Sequence, residues 1–312
     1  MRQHGSRPRG AVQPTAPRAT RLLGFALCGA AMVTVGSTVV ASKVIVASVP
    51  PFSATCLRLA FCLPIFLLLM RFAGERLPRP DRQDRLLLLA QAGLGTVGYP
   101  VLLLFGLRWT SAADAGVVMG SLTAMVALVS VILLGERLRR SQVMTIALAS
   151  AGVTAVTAGG AAEGLRVDPS ALLGNAIVLC AVTCEASFLI LNKRLRVAVP
   201  PLALSTVMTG LGALLTLPLA LLEQPWALVV PAEAWLAMLW YALVPTVGGL
   251  FLWYAGAARL AGSDAALTTS ILPVAAVAMA ALVLGEHVGA AQLVGMACVL
   301  AAVLAGAAWD RR

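Results

Sequence analysis

Apolar residues run along this chain in stretches of about twenty, parted by short segments that hold most of the charge. Each stretch can cross a hydrocarbon slab of roughly 30 Å as a helix. None shows the alternation of a barrel strand, and helices satisfy their own backbone where water is absent. The pattern predicts ten spans, at about 22–41, 52–70, 86–107, 113–134, 141–158, 170–192, 202–222, 234–255, 264–284 and 289–308. Glycine closes the fourth and ninth, at Gly135-Glu136 and Gly285-Glu286. Residues 1–21 are polar, Pro-rich and basic, a predicted cytoplasmic tail. A basic start before an apolar run also marks signal peptides. The run from Leu22 is long for one, and it is read as a retained first helix.

The pattern occurs twice. Only two of the 23 cationic side chains are lysines, Lys43 and Lys193, and each is followed seven residues later by Pro-Pro, at Pro50-Pro51 and Pro200-Pro201. The same offset of 150 pairs Gly98 with Gly248, Asp114 with Asp264, Gly135-Glu136 with Gly285-Glu286, and Gln142 with Gln292. Each unit carries five spans, an odd number, so the second enters the membrane upside down. The expected fold is all-α: ten transmembrane helices as two inverted five-helix repeats, 22–158 and 170–308. Inverted repeats of this kind build alternating-access carriers, with the site between them near the midplane.

Composition sharpens this picture. Of 312 residues 60% are hydrophobic and 12% charged, more apolar than a soluble core requires. The net charge of +10 sits in loops and tails, where it orients helices, so it does not point to nucleic acid. With the N-terminus on one side, that side collects nineteen Lys and Arg against three (Lys43, Arg108 and Arg166) on the other. Both termini are therefore expected in the cytoplasm. The six cysteines lie in apolar runs without metal-ligand spacing, and the histidines are only His4 and His287. No metal or other cofactor is expected. Nothing resembles a Walker loop, which argues against ATP hydrolysis by this chain.

The lysines followed by prolines, the Leu57-Arg58 pair, the Gly-Glu turns with Gln six residues on, and Pro273 in helix 9 resemble the EamA-like branch of the drug/metabolite transporter superfamily. The resemblance spans residues 22–308. It implies a basket of helices 1–4 and 6–9 around a central cavity, with helices 5 and 10 outside. It also implies a small-molecule substrate: the family carries amino acids, other metabolites and drugs. Two positions depart from the family pattern. Val35-Gly36 stands where Trp-Gly is common in helix 1, with Glu185-Ala186 as its mirror, and Thr123 stands where helix 4 commonly has proline.

Several residues are candidates for chemistry. Glu185 lies at intramembrane depth, where a carboxylate is costly and functional by default. It reads as a proton carrier or the partner of a substrate amine, against a structural ion pair or a hydrogen-bonded neutral acid. Its mirror, Val35, could line the cavity only as an apolar wall, against ordinary helix packing. Arg58 could hold a substrate carboxylate bidentately, against snorkelling or a structural pair. Lys43 and Lys193 read as gate residues or interfacial anchors. Asp114 and Asp264 read as N-caps, and Glu136 and Glu286 as complements of the positive start of the following helix. Pro273 removes a backbone bond in helix 9. Gly93, Gly95, Gly98 and Pro100, then Pro245, Gly248 and Gly249, suggest matched irregularity in helices 3 and 8, a pointer to the site. Tyr99, Trp253 and Tyr254 lie on those helices and read as cavity lining or core. Trp109, Trp226, Trp235 and Trp309 read as interfacial belts. Ala147, Ala151 and Ala155, with Ala297, Ala301 and Ala305, form a close-packing stripe within one protomer or between two.

The reading is a secondary transporter of the bacterial inner membrane. It exports a small amino acid-like or amphipathic metabolite, uses protons as a candidate coupling ion, and binds near Glu185, Arg58, Tyr99, Trp253, Val35 and Thr123. A carrier for organic anions is the rival within the class. A membrane enzyme would show a catalytic cluster, and a sensor would add a soluble domain.

Overall fold

The structure, a computed structural model, describes residues 18–77, 80–135, 140–162, 169–196 and 199–309. Glu136, Arg166 and nearly all of the tail lie outside the described residues. Fourteen α-helices follow in order: α1 Arg18–Val46, α2 Pro51–Ala73, α3 Arg82–Gln91, α4 Tyr99–Gly106, α5 Ala112–Met119, α6 Leu122–Leu134 and α7 Arg140–Ala162. Then come α8 Pro169–Asn192, α9 Pro201–Leu222, α10 Ala232–Tyr241, α11 Gly249–Ala257, α12 Gly262–Thr268, α13 Ile271–Leu284 and α14 Ala290–Trp309.

Among the described residues, six helical stretches are long and apolar enough to cross a membrane: α1, α2, α3 through α4, α8, α9, and α10 through α11. The pair α5 and α6, bent by 47°, passes the same test as one broken crossing, and α7, α13 and α14 supply shorter apolar helices. This is a multi-pass membrane protein.

Irregularity falls where glycine and proline concentrate. α3 joins α4 through a π-helical turn, Ala92–Gly98, and α10 joins α11 through another, Ala242–Gly248, 150 residues on. Such a turn widens the helix and is often a functional feature. Pro245, which has no amide to donate, lies inside the second. The fourth and ninth spans are broken, not continuous as the sequence pattern predicts. Each break is a tight turn in which a serine hydroxyl, Ser121 or Ser270, donates to the carbonyl three residues back, Val118 or Leu267, at 2.7 Å. Gly135 and Gly285 end α6 and α13 at φ +69° and +66°, a conformation glycine adopts without strain.

Helix contacts are reciprocal. α1 packs on α11 and α13, while α8 packs on α4 and α6; α2 pairs with α9, and α7 with α14. Glycine sets the matched crossings. A Cβ on Gly106 would meet the Gly174 carbonyl at 2.9 Å, and one on Gly256 would meet the Gly24 carbonyl at 2.9 Å. A Cβ on Gly36 or Gly116 would run into Ala276 of α13. Backbones this close gain dispersion contacts that larger side chains would forbid. Between α7 and α14 the packed faces are Ala149, Gly152 and Val156 against Gly295, Val299 and Ala302. The stripe expected from sequence lies one to three residues away, and Ala147, Ala151, Ala297 and Ala301 are exposed.

Candidate functional site

α2, α4, α8, α10 and α1 contribute Arg58, Tyr99, Glu185, Tyr241 and Thr38 to one polar group. Arg58, on α2, is only 7% exposed. Its guanidinium carbon stands 4.5 Å from the Tyr241 ring centroid, and its Nη1 donates to the Thr246 hydroxyl at 3.3 Å. The second π-helical turn makes that acceptor available: Thr246 Oγ1 donates to the Tyr241 carbonyl five residues back, at 2.8 Å. Tyr99 and Tyr241 both interact with the Thr38 hydroxyl of α1, and both lie within electrostatic reach of Arg58 and of Glu185 on α8. Tyr99 also directs its hydroxyl at Met119 Sδ, 3.8 Å away.

The charges in this group are not neutralised by the fold. Among the described residues no carboxylate pairs with Arg58, and Glu185 has neither a hydrogen bond nor an ion pair. A cation–π contact offsets part of the cost of burying Arg58, up to about 2 kcal/mol when desolvated. Glu185 is half-buried.

One end of the bundle is tied by side chains reaching helix ends. Lys43 Nζ donates to the carbonyls of Leu107 at 2.7 Å and Thr110 at 2.6 Å, closing the end of α4. The Glu286 carboxylate accepts from the amides of Ala112 at 2.9 Å and Ala113 at 2.8 Å, at the start of α5. Gln292 Nε2 donates to Asp114 at 2.7 Å, and Gln292 accepts from the Gly289 amide. Glu223 accepts from the amides of Phe52 at 3.3 Å and Ser53 at 2.6 Å and from the Ser53 hydroxyl at 2.8 Å. Carboxylates at helix starts and a cation at a helix end complement the peptide dipoles.

The EamA-like transporter family matches residues 22–158 and again residues 172–305. The chain belongs to this family. It is 32% identical over 276 residues, 88% of its length and 83% of the other's, to the uncharacterized transporter YetK of Bacillus subtilis strain 168. Identity is 24% over 285 residues, 91% of both chains, with the uncharacterized transporter YyaM of the same organism. One crystal structure of a protein shares the fold, with a TM-score of 0.65 at 20% identity, covering 95% of this chain and 99% of that one. A role in transport follows, and these likenesses point away from an enzyme.

In this EamA-family chain several residues do other work than the sequence suggests. The N-cap of α5 is Ser111, whose hydroxyl accepts from the Asp114 amide at 2.9 Å; Asp114 instead faces Gln292. Glu286 serves α5, in the other half of the chain, rather than α14, which follows it. Asp264 Oδ2 accepts from Arg21 Nε at 3.1 Å and from Arg21 Nη2 at 2.8 Å. Lys43 lies within α1, three residues before its end. Its mirror, Lys193, is exposed beyond the end of α8. At that end Asp81 caps α3 and is held below the ordinary carboxylate range, chiefly by the Asp84 amide and further by Arg196.

Val35, Tyr99 and Trp253 are partly buried and each packs against the same large apolar cluster. Thr123 is exposed, and Pro273 is buried where a Cβ on Gly120 would meet its Cβ at 3.1 Å. Tyr254 is 44% exposed, so it does not share the interior position of Tyr99. Tyr241, Thr246 and Thr38 escaped the sequence reading. Tyr241 had one available signal, its place just ahead of the Pro245 and Gly248-Gly249 irregularity.

Proposed function

We propose that this chain is a secondary active transporter of the bacterial inner membrane that exports a small amino acid-like metabolite by alternating access. The observation that carries this reading is Arg58, a buried and unneutralised cation in a group that also contains an unpaired Glu185. Arg58 takes a substrate carboxylate, Glu185 takes its amine or exchanges a proton for it, and Tyr99, Trp253 and Val35 flank the apolar part. Thr123 and Pro273 belong to the broken spans that move around the site, with Lys43 and Lys193 at the two mouths.

The reciprocal packing of α1 with α11 and of α4 with α8 supports two repeats, 22–158 and 170–308, related by a two-fold axis. Five spans in each repeat make that relation an inversion and bring the total to ten. The excess of Lys and Arg on one side supports cytoplasmic termini, and the Bacillus relatives support the bacterial cell membrane.

The test is counterflow in proteoliposomes with a panel of labelled amino acids, amines and organic anions. An amino acid-like substrate should exchange through the wild type and fail with Arg58→Ala, and it should fail with Glu185→Ala as well where that carboxylate holds the amine. Transport of organic anions that is lost with Arg58→Ala and kept with Glu185→Ala would replace this reading by the anion carrier, which the unneutralised Arg58 also favours. No transport of any panel member would remove both.

A further inference from the structure

Glu223 and Glu75 stand at opposite ends of one helix pair. α2 and α9 both begin with Pro-Pro, and their N-cap prolines, Pro50 (φ −61°, ψ 149°) and Pro200 (φ −55°, ψ 143°), offer no side-chain cap. A helix started in this way leaves first-turn amides that need an acceptor from elsewhere. For α2 that acceptor is Glu223, just past the end of α9, through the amides of Phe52 and Ser53.

At the other end the two helices exchange roles. α2 ends at Gly74, whose left-handed conformation (φ +66°) turns the chain and places Glu75 beyond the helix. α9 starts there, with Leu202 in the same apolar cluster as Phe66 and Leu69. Leu202 and Ala203 match Phe52 and Ser53 at the offset of 150. Among the described residues no side chain accepts from their amides, and Glu75 Oε2 is buried without a hydrogen-bond partner. A buried carboxylate oxygen lacking a donor is costly. Two donors lacking an acceptor begin the neighbouring helix.

We propose that Glu75 is the latch of the second gate. When the Lys193 end closes, its carboxylate accepts from the amides of Leu202 and Ala203, as Glu223 accepts from those of Phe52 and Ser53 at the Lys43 end. The two latches form in alternation, and this structure holds the Glu223 latch made and the Glu75 latch open. The inference rests on the alternating-access reading and gives it a named contact on each side.

The test uses pulsed electron–electron distance measurements on the full chain in lipid nanodiscs, with genetically encoded nitroxide side chains that leave the native cysteines in place. One pair, at Arg76 and Asn192, spans the Lys193 end; the other, at Ala47 and Val229, spans the Lys43 end. Wild type should show two populations at each pair. Glu75→Gln, which keeps the shape and removes the charge, should lower the closed population at Arg76/Asn192 roughly fivefold. Glu75→Ala should lower it at least as far, and Glu223→Gln should raise it. If Glu75→Gln and Glu75→Ala leave that population unchanged while Glu223→Gln moves it, the latch is overturned and alternating access stands. A single population at both pairs in every variant overturns both.

Discussion

Gln91 and Tyr241 hold matching places 150 residues apart, each the last residue before a seven-residue π-helical turn. Tyr241 lays its ring against Arg58, whereas Gln91 is fully buried with neither amide atom partnered. Met208 stands at the place matching Arg58, packed with Leu88 and Ala92. Val35 matches Glu185, and Phe188 matches Thr38. The backbone irregularity is repeated and the charged chemistry is not. The two halves therefore differ at these matched places, with Arg58 standing in one and Glu185 in the other.

Gln91 should be expendable. Its two unpartnered amide atoms cost stability that an apolar side chain of similar size would recover, on the order of 1–3 kcal/mol. Gln91→Leu should raise the unfolding temperature in detergent and leave transport intact. A fall in that temperature would show that Gln91 has a partner, such as bound water, in solution.

Tyr241 should tune Arg58 through its ring rather than its hydroxyl. Tyr241→Phe keeps the aromatic face and should leave apparent substrate affinity within a few-fold. Tyr241→Leu removes it and should weaken affinity by roughly five- to thirtyfold, the range of a desolvated cation–π contact of about 1–2 kcal/mol. Affinity from counterflow, measured beside Arg58→Lys, checks this; equal losses in Tyr241→Phe and Tyr241→Leu would place the effect in the hydroxyl.

Much of the fold could be read from rare residues in a fixed register, because polar residues and prolines within an apolar run are seldom coincidental. The helix-ending glycines, the Pro-Pro starts and the matched irregular helices all lie in local sequence. What each polar residue touches does not. Glu286 and Ala112 are 174 residues apart, so sequence shows only that a carboxylate follows a glycine, and the nearest helix start, α14, is the wrong one. Ser111 was hidden by its neighbour, since Asp114 is an equally good capping type. Tyr241 reads as core because an aromatic residue in an apolar span carries no mark of the cation packed against it.

Glu286 should stabilise the folded protein at long range in the chain. Glu286→Ala leaves the amides of Ala112 and Ala113 without their acceptor and should cost about 1–3 kcal/mol. Glu286→Gln, which can still accept one bond, should fall between Ala and wild type. Thermal unfolding of the purified variants in one detergent gives the order. A neutral Glu286→Ala would mean that water replaces the carboxylate, and that the contact contributes little to joining α13 with α5.

Glu185 separates substrate recognition from proton coupling. As a proton exchanger it must change protonation state during the cycle, which a glutamine cannot do. In Glu185→Gln vesicles, uptake should no longer respond to an imposed pH gradient, while counterflow, which needs no net proton movement, continues at a measurable rate. If the carboxylate instead holds the substrate amine, Glu185→Gln should weaken binding and counterflow alike by about tenfold or more, the loss of a charge-assisted contact worth about 1.5–3 kcal/mol. In that case the residual uptake keeps its pH response. Parallel measurements of uptake and counterflow decide between the two roles. Unchanged affinity together with an unchanged pH response would remove Glu185 from the site and leave Arg58 and the tyrosines as an anion-binding group.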